Sequence, residues 1–384
     1  MIQFKNHALH VDEKTLEQLT ECLSHPFVVD AALMPDAHAG YVAPIGSVLK
    51  TKDYIVPSWV GFDIGCGMTA VQITTPNILE KIQTHITTIY AQVQKQVPMG
   101  MGKLNQKENV TTQTLKELKE LFTMFESNIH QKQDSNFIKS ASYNHLGTLG
   151  DGNHFIELCT DDAQHVWIVV HCGSRGIGYK LAQKYMKIAA KTDTQFEKTY
   201  PLHQDSQEGK EYRNILHFGL SFALLNRMEI IRKTLLALET VLQTKLSWEV
   251  WTNKNHNHAL FENGFWIHRK GATPAKKGER GVIPGSMKDG SFLVEGLGND
   301  DFLQSSSHGA GRIMGRAQAK RELDVHTFKE DMKGIVGTIS QETLDESPRA
   351  YKNIYEVMDL QKESVRVLNH LRPLINWKGT KNHG

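Results

Sequence analysis

The chain has 384 residues, 40% of them hydrophobic, with 44 Lys and Arg against 42 Asp and Glu. That length supports a large core in one big domain or two, and the near-balance of charge excludes a partner chosen by bulk charge, so a nucleic-acid site would have to be a local basic patch. Four cysteines with no CxxC pair exclude a disulfide scaffold and a structural zinc finger.

The opening MIQFKNHALHVDEK lacks an apolar signal core, and no apolar run is long enough to span a membrane, so the expectation is a soluble, cytoplasmic protein. Residues 1–60 hold short apolar runs between turns, PFVVDAALMPDAHAG and PIGSVLKTKDYIVP, which predict short strands and loops. Between 111 and 133, Leu115, Leu118, Leu121, Phe122 and Phe125 recur at helical spacing. A glycine-rich loop, HLGTLGDGNHF, leads into FIELCT. VWIVVHCGSRG reads as a buried strand running straight into His171 and a Gly/Ser turn. YKLAQKYMKIAAK and the long YRNILHFGLSFALLNRMEIIRKTLLALETVL read as helices, the second core-facing. SWEVWTNKNHNHA and FWIHRKGA read as strands, GVIPGSM, SFLVEGL and SSSHGAGR as a turn–strand–turn series, and 350–378 as mostly helical. Strands and helices are interspersed without βαβ alternation, repeats or a linker. That predicts an α+β fold: a single compact domain, 1–384, with mixed sheets and flanking helices.

Four segments end an apolar or glycine-rich run on a metal-ligand type of residue. They are GFDIGCG with Asp63 and Cys66, GDGNHF with Asn153 and His154, IVVHCGS with His171, and NKNHNHA with His256 and His258. A single buried histidine is ordinarily a satisfied core residue. Four such segments, with a carboxylate and a thiol that would be costly to bury unpartnered, form a transition-metal ligand set. A thiolate can bridge two ions, and the ligand supply is large enough for two. On affinity alone, sulfur and imidazole ligands favour zinc. GTLGDGN is not GxGxxG, and no GxxxxGK[ST] is present, which excludes the Rossmann fingerprint and the P-loop. SSSHGAGR offers successive small residues whose backbone N–H groups can cradle a phosphate, with Arg312 to pair its charge. Its His308 is open to roles as ligand, base or nucleophile. The clusters IHRKGATPAKKGERG and RAQAKRE read as a solvated surface or as a nucleic-acid backbone contact.

In order, MPDAHAG, VGFDIGCGM, HLGTLGDGNHFIE, HCGSRGIG, HRKGA, IPGSM, GLGN, SHGAGR and AYKN make the chain resemble the RtcB family of RNA ligases, from about Met34 to Lys378. The resemblance implies a GTP- and manganese-dependent ligase that joins RNA 3′-phosphate or 2′,3′-cyclic phosphate ends to 5′-hydroxyl ends. Its implied partners are RNA (tRNA halves or broken RNA), GTP and an archease-like activator, with no membrane. By motif, Asp63, Cys66 and His154 hold one metal, and Cys66, His171 and His256 hold the second, so Cys66 bridges. His308 is the implied nucleophile that takes GMP. The implied nucleotide contacts are Asn153, His154, Phe155, Ile156, Glu157, His256, Asn257, Pro284, Gly285, Ser286, Met287, Ser291, His308, Gly309, Ala310, Gly311, Tyr351 and Lys378, and Arg175 and Arg312 are candidate phosphate or RNA contacts. A C-terminal helical region, about 320–378, is expected to close over the nucleotide. A dinuclear metal-dependent phosphodiesterase or nucleotide hydrolase is the alternative on the same ligands. The chain departs from the family pattern at Tyr41, where many members carry a basic residue, at Ser307, where cysteine is frequent, and in continuing as TKNHG after Gly379.

Overall fold

The fold was analysed in a computed structural model that describes residues 3–126 and 132–380. Its largest sheet has eight strands. Seven run in the spatial order Arg280–Pro284, Ser291–Gly296, Val365–Trp377, Phe155–Thr160, Val166–Cys172, Gly67–Ile73 and Trp248–Asn255, and Val336–Gly337 pairs beside the third of these. A five-stranded sheet is ordered Lys5–Asn6, Val28–His38, Ile45–Thr51, Phe265–Lys270 and Asn257–Glu262. Both sheets are mixed, each carrying one parallel pair among antiparallel ones. The fold class is α+β, as the irregular alternation of elements predicts.

The long helix Gln207–Leu242 crosses behind the large sheet. Its Ile230, Ile231, Leu235 and Leu238 pack with Ile156, Ile168 and Val170 of the strands in one apolar cluster. Around its other half, Leu216, Phe218 and Phe222 pack with Leu118 and Leu121 of the helix Thr112–Glu126. Burying each such side chain contributes about 1.5–3 kcal/mol, enough to anchor the helix as a rigid back wall. The helix expected over 111–133 is therefore present through Glu126, and its positions 127–131 lie outside the described residues.

Two expectations are corrected. Residues 1–60 are not only strands and loops: Glu13–Leu23 is a helix, N-capped by Asp12, whose Oδ1 accepts from the Thr15 N–H at 2.7 Å. The expected C-terminal helical region, 320–378, is helical only in short pieces: the α-helices Arg316–Glu322, Val325–Asp331 and Ile354–Asp359 and the 3-10 turns Leu344–Glu346 and Pro348–Ala350. Val365–Trp377 is a thirteen-residue strand inside the large sheet. Its β-branched Val365, Val367 and Ile375 favour a strand, and Pro373 excludes a helix interior and sits at a register shift in the ladder. Lys378 follows this strand directly, so its position is set by the sheet.

Candidate metal and nucleotide site

Adjacent strands carry the ligand-type residues to one end of the large sheet. In register, Phe155 faces His171, Met68 faces His171, and Gly67 faces both Cys172 and Asn255. Asp63 and Cys66 therefore precede one strand, His154 precedes its neighbour but one, His171 lies between, and His256 follows the far strand. The turn before Cys66 needs its glycines. Gly65 has φ +72, and a Cβ there would stand 2.7 Å from the Ala223 Cβ on the long helix. A Cβ on Gly67 would collide with the Lys254 carbonyl of the paired strand.

Two clusters result, Asp63–Cys66–His154 and Cys66–His171–His256, each with its ligand atoms within 4.8 Å of one another. Cys66 Sγ belongs to both, at 3.1 Å from His171 Nε2 and 3.5 Å from His154 Nε2. His171 Nε2 is 3.2 Å from His256 Nε2, and His154 Nε2 is 3.0 Å from an Asp63 carboxylate oxygen. The Asn153 carbonyl, 3.1 Å from His171 Nδ1, can only accept, so Nδ1 carries the proton and Nε2 keeps a lone pair for the cluster. Burial first, and then the neighbouring histidines, hold His171 and His256 well below the ordinary imidazole value, so both are neutral donors of lone pairs. Among the described residues, buried His256 Nδ1 has no hydrogen-bond partner. Burial works to raise the Asp63 carboxyl, but the charge and hydrogen bond of His154, with Arg175 beyond, hold it down at about 2. Burial and then Asp63 push the Cys66 thiol up to about 12. Sulfur, imidazole and carboxylate converging in this way fit divalent transition-metal ions, and Cys66 Sγ is common to both clusters.

Beside the clusters lies a cavity of about 370 Å³. Its walls come from Asn153, Phe155 and Glu157, from 284–287, from 308–316, and from Glu346, Tyr351, Asn376 and Lys378. His308 opens onto it, with its ring centroid 4.9 Å from that of His256. His308 follows the short strand Ser305–Ser307, which pairs with Ala272–Pro274. Its Nδ1 lies 2.6 Å from Oδ2 of the fully buried Asp36.

Glu157 is buried, accepting from the Cys159 S–H at 3.0 Å and from Asn376 Nδ2 at 2.9 Å. Burial raises its carboxyl to about 7. Asn376 Oδ1 has no donor among the described residues. Also at the cavity wall, buried Glu346 gathers the cationic groups. Lys378 Nζ is 2.5 Å away, Arg316 Nη1 2.5 Å and Arg312 Nη1 3.3 Å, and the Tyr351 hydroxyl donates at 2.7 Å.

The comparisons with known proteins decide the family. A model described as tRNA-splicing ligase RtcB matches residues 18–379. The chain belongs to the RtcB family. It is 34% identical over 391 residues to the RNA-splicing ligase RtcB of Escherichia coli (strain K12), covering 96% of this chain and 95% of that protein. It is 27% identical to the tRNA-splicing ligase RtcB of Nanoarchaeum equitans, over 96% of this chain and 92% of that one.

Most residues named from the RtcB motifs meet at this one place. Five of the implied nucleotide contacts do not line the cavity: His154 and His256 belong to the metal-type clusters, and Ile156, Ser291 and Asn257 are engaged elsewhere. Ile156 points into the apolar core, Ser291 is buried in its strand, and the Asn257 side chain ties the Asp63 carbonyl at 3.2 Å to the Gly271 N–H at 2.8 Å. Arg175 lies behind His154, 3.1 Å from its Nδ1, rather than in the cavity, and Arg312 is held by Glu346, Tyr351 and the Met314 carbonyl. Motif reading assigned no part to Asp36, Glu346 or Asn376, and took Arg316 only as part of the basic cluster RAQAKRE. Asp36 stood inside the quoted MPDAHAG, the one signal that could have singled it out.

Proposed function

We propose that this chain is a GTP-dependent RNA ligase that joins a 3′-phosphate or 2′,3′-cyclic phosphate end to a 5′-hydroxyl end through a GMP adduct on His308. The observation that carries the reading is the Asp36–His308 pair at the rim of the cavity, next to the metal-type clusters. Asp36 accepts from His308 Nδ1–H, which leaves the Nε2 lone pair free to attack, while the other motif histidines direct theirs into the clusters. Nε2 forms a bond to the α-phosphorus of GTP as the bond to pyrophosphate breaks. The RNA 3′-phosphate then takes the GMP from His308, and the 5′-hydroxyl displaces GMP to make the phosphodiester.

Manganese ions held by Asp63, Cys66, His154, His171 and His256 would supply Lewis-acid charge beside the phosphates. Glu157, once ionised, accepts from the two N–H donors on the guanine edge, and the unpartnered Asn376 Oδ1 adds an acceptor. Adenine offers a different edge and would leave these buried groups unpaired, at roughly 1–3 kcal/mol each. A hydrolase would use the same pair as a general base, so it is the RtcB match over residues 18–379 that favours the ligase reading. The test is a sealing reaction. Purified protein with GTP and Mn²⁺ should join a 3′-phosphate RNA to a 5′-hydroxyl RNA, and shortening of the 3′-phosphate strand without joined product would support the hydrolase instead.

A further inference from the structure

Arg227 stands in the middle of the long helix Gln207–Leu242 and is fully buried. Its guanidinium reaches through the back of the large sheet to the segments that carry the ligands. Nη1 donates to the Gly65 carbonyl at 2.9 Å and to the Cys172 carbonyl at 2.8 Å. Nη2 donates to Asn255 Oδ1 at 2.7 Å. Nε donates to Asn253 Oδ1 at 2.8 Å and to Thr69 Oγ1 at 3.1 Å. Gly65 immediately precedes Cys66, Cys172 immediately follows His171, and Asn255 immediately precedes His256. One planar group thus grips the chain beside each member of the Cys66–His171–His256 cluster.

All five acceptors are neutral, and among the described residues no carboxylate forms an ion pair with Arg227. Burying an unpaired guanidinium is costly, and an apolar residue of similar size would serve a purely structural wall at less expense. The fixed fork of donors is what lets one side chain hold three segments at once, and a lysine ammonium cannot reproduce it. The helix itself is anchored by its apolar contacts, so Arg227 transmits a rigid reference to the ligand loops.

We propose that Arg227 is the positioning residue of the dinuclear centre, setting the spacing of Cys66, His171 and His256 from behind without touching metal or substrate. The inference rests on reading those clusters as metal sites.

The test uses the full chain and Co²⁺ as a spectroscopic probe. Wild type should bind Co²⁺ with a thiolate-to-cobalt charge-transfer band. Arg227→Lys should weaken Co²⁺ binding on the order of 10–100-fold, as loss of an outer-shell partner does, and should change the visible bands that report ligand geometry. Asn255→Ala leaves the guanidinium in place and removes the grip beside His256 together with the Asn255 bond to the Leu220 carbonyl, so it should give a smaller loss of the same kind and serves if Arg227→Lys fails to fold. Leu235→Ala, on the same helix but in the apolar cluster, should lower stability and leave the spectrum unchanged. Wild-type affinity and spectrum in both polar variants would overturn the proposal, as would an equal spectral change in Leu235→Ala. Absence of the thiolate band in wild type would instead overturn the metal reading on which the proposal rests.

Discussion

His308 Nδ1 lies 2.6 Å from Asp36 Oδ2, and the same carboxylate oxygen accepts from the His308 backbone N–H at 3.2 Å. Two bonds to one buried oxygen fix both the loop and the ring. Burial opposes the charge on Asp36, but His308 overcomes it and keeps the carboxyl below its ordinary value. The ring is thereby held in the tautomer that presents Nε2 to the cavity.

Asp36→Asn should keep the shape and lose the tautomer, because a carboxamide can donate to Nδ1 and move the proton to Nε2. His308 guanylylation should fall by about three to four orders of magnitude, with metal content unchanged. Single-turnover labelling with GTP, alongside elemental analysis, checks both halves.

Cys66→Ala should lose metal from both clusters, because Sγ is their shared atom. In the wild type the thiol must give up its proton to bind, and its raised value makes uptake release protons and weaken as pH falls. Elemental analysis of Cys66→Ala and proton release on titrating the apoprotein with Mn²⁺ measure this. Wild-type stoichiometry in the variant would remove Cys66 from the bridge.

Glu157 supplies a pH prediction with a definite sign. Its folded-state carboxyl is raised to about 7 from 4.5. Between those values the folded protein holds a proton that the unfolded chain has lost, so stability of the nucleotide-free protein falls as pH rises through this window. Glu157→Gln should flatten that part of a thermal-midpoint curve. It should also reduce the preference for GTP over ATP, which competition labelling reads directly.

Glu346 holds three cations and a phenol at the cavity wall. Burial opposes its charge, but Lys378, then Arg316 and Arg312, hold its carboxyl down at about 2. Its contribution is complete above pH 4.5 and is lost as pH falls toward 2. Glu346→Gln should cost roughly 3–5 kcal/mol, as breaking a buried ionic network does, and should weaken GTP binding by freeing Lys378 and Tyr351. Denaturant unfolding and calorimetric titration separate the two effects.

The metal-type ligands were legible because each is local: a glycine turn and a strand end carry them within a few residues. Their convergence follows from strand register, which short apolar runs foreshadow. Asp36 and Glu346 were not legible in this way. Asp36 meets His308 across 272 positions and Glu346 meets Lys378 across 32, and no periodicity marks either pairing. Arg227 is one of several charged residues on a largely buried helix, and its use is visible only once three strands pass its tip. The Val365–Trp377 strand was misjudged because Leu368, Leu371 and Leu374 mimic helical spacing, while pairing with strands far earlier in the chain decides the conformation.

The most direct measurement of the central claim is incubation with α-labelled GTP and Mn²⁺, followed by peptide mapping. Wild type should carry an acid-labile, alkali-stable GMP on the peptide containing His308. His308→Ala should bind metal normally, carry no label and leave 3′-phosphate RNA unsealed, yet still seal RNA that already bears a 3′-guanylate. Activation of 3′-phosphate ends by His308→Ala with free GTP would contradict the account, because GMP would then reach RNA without passing through the histidine.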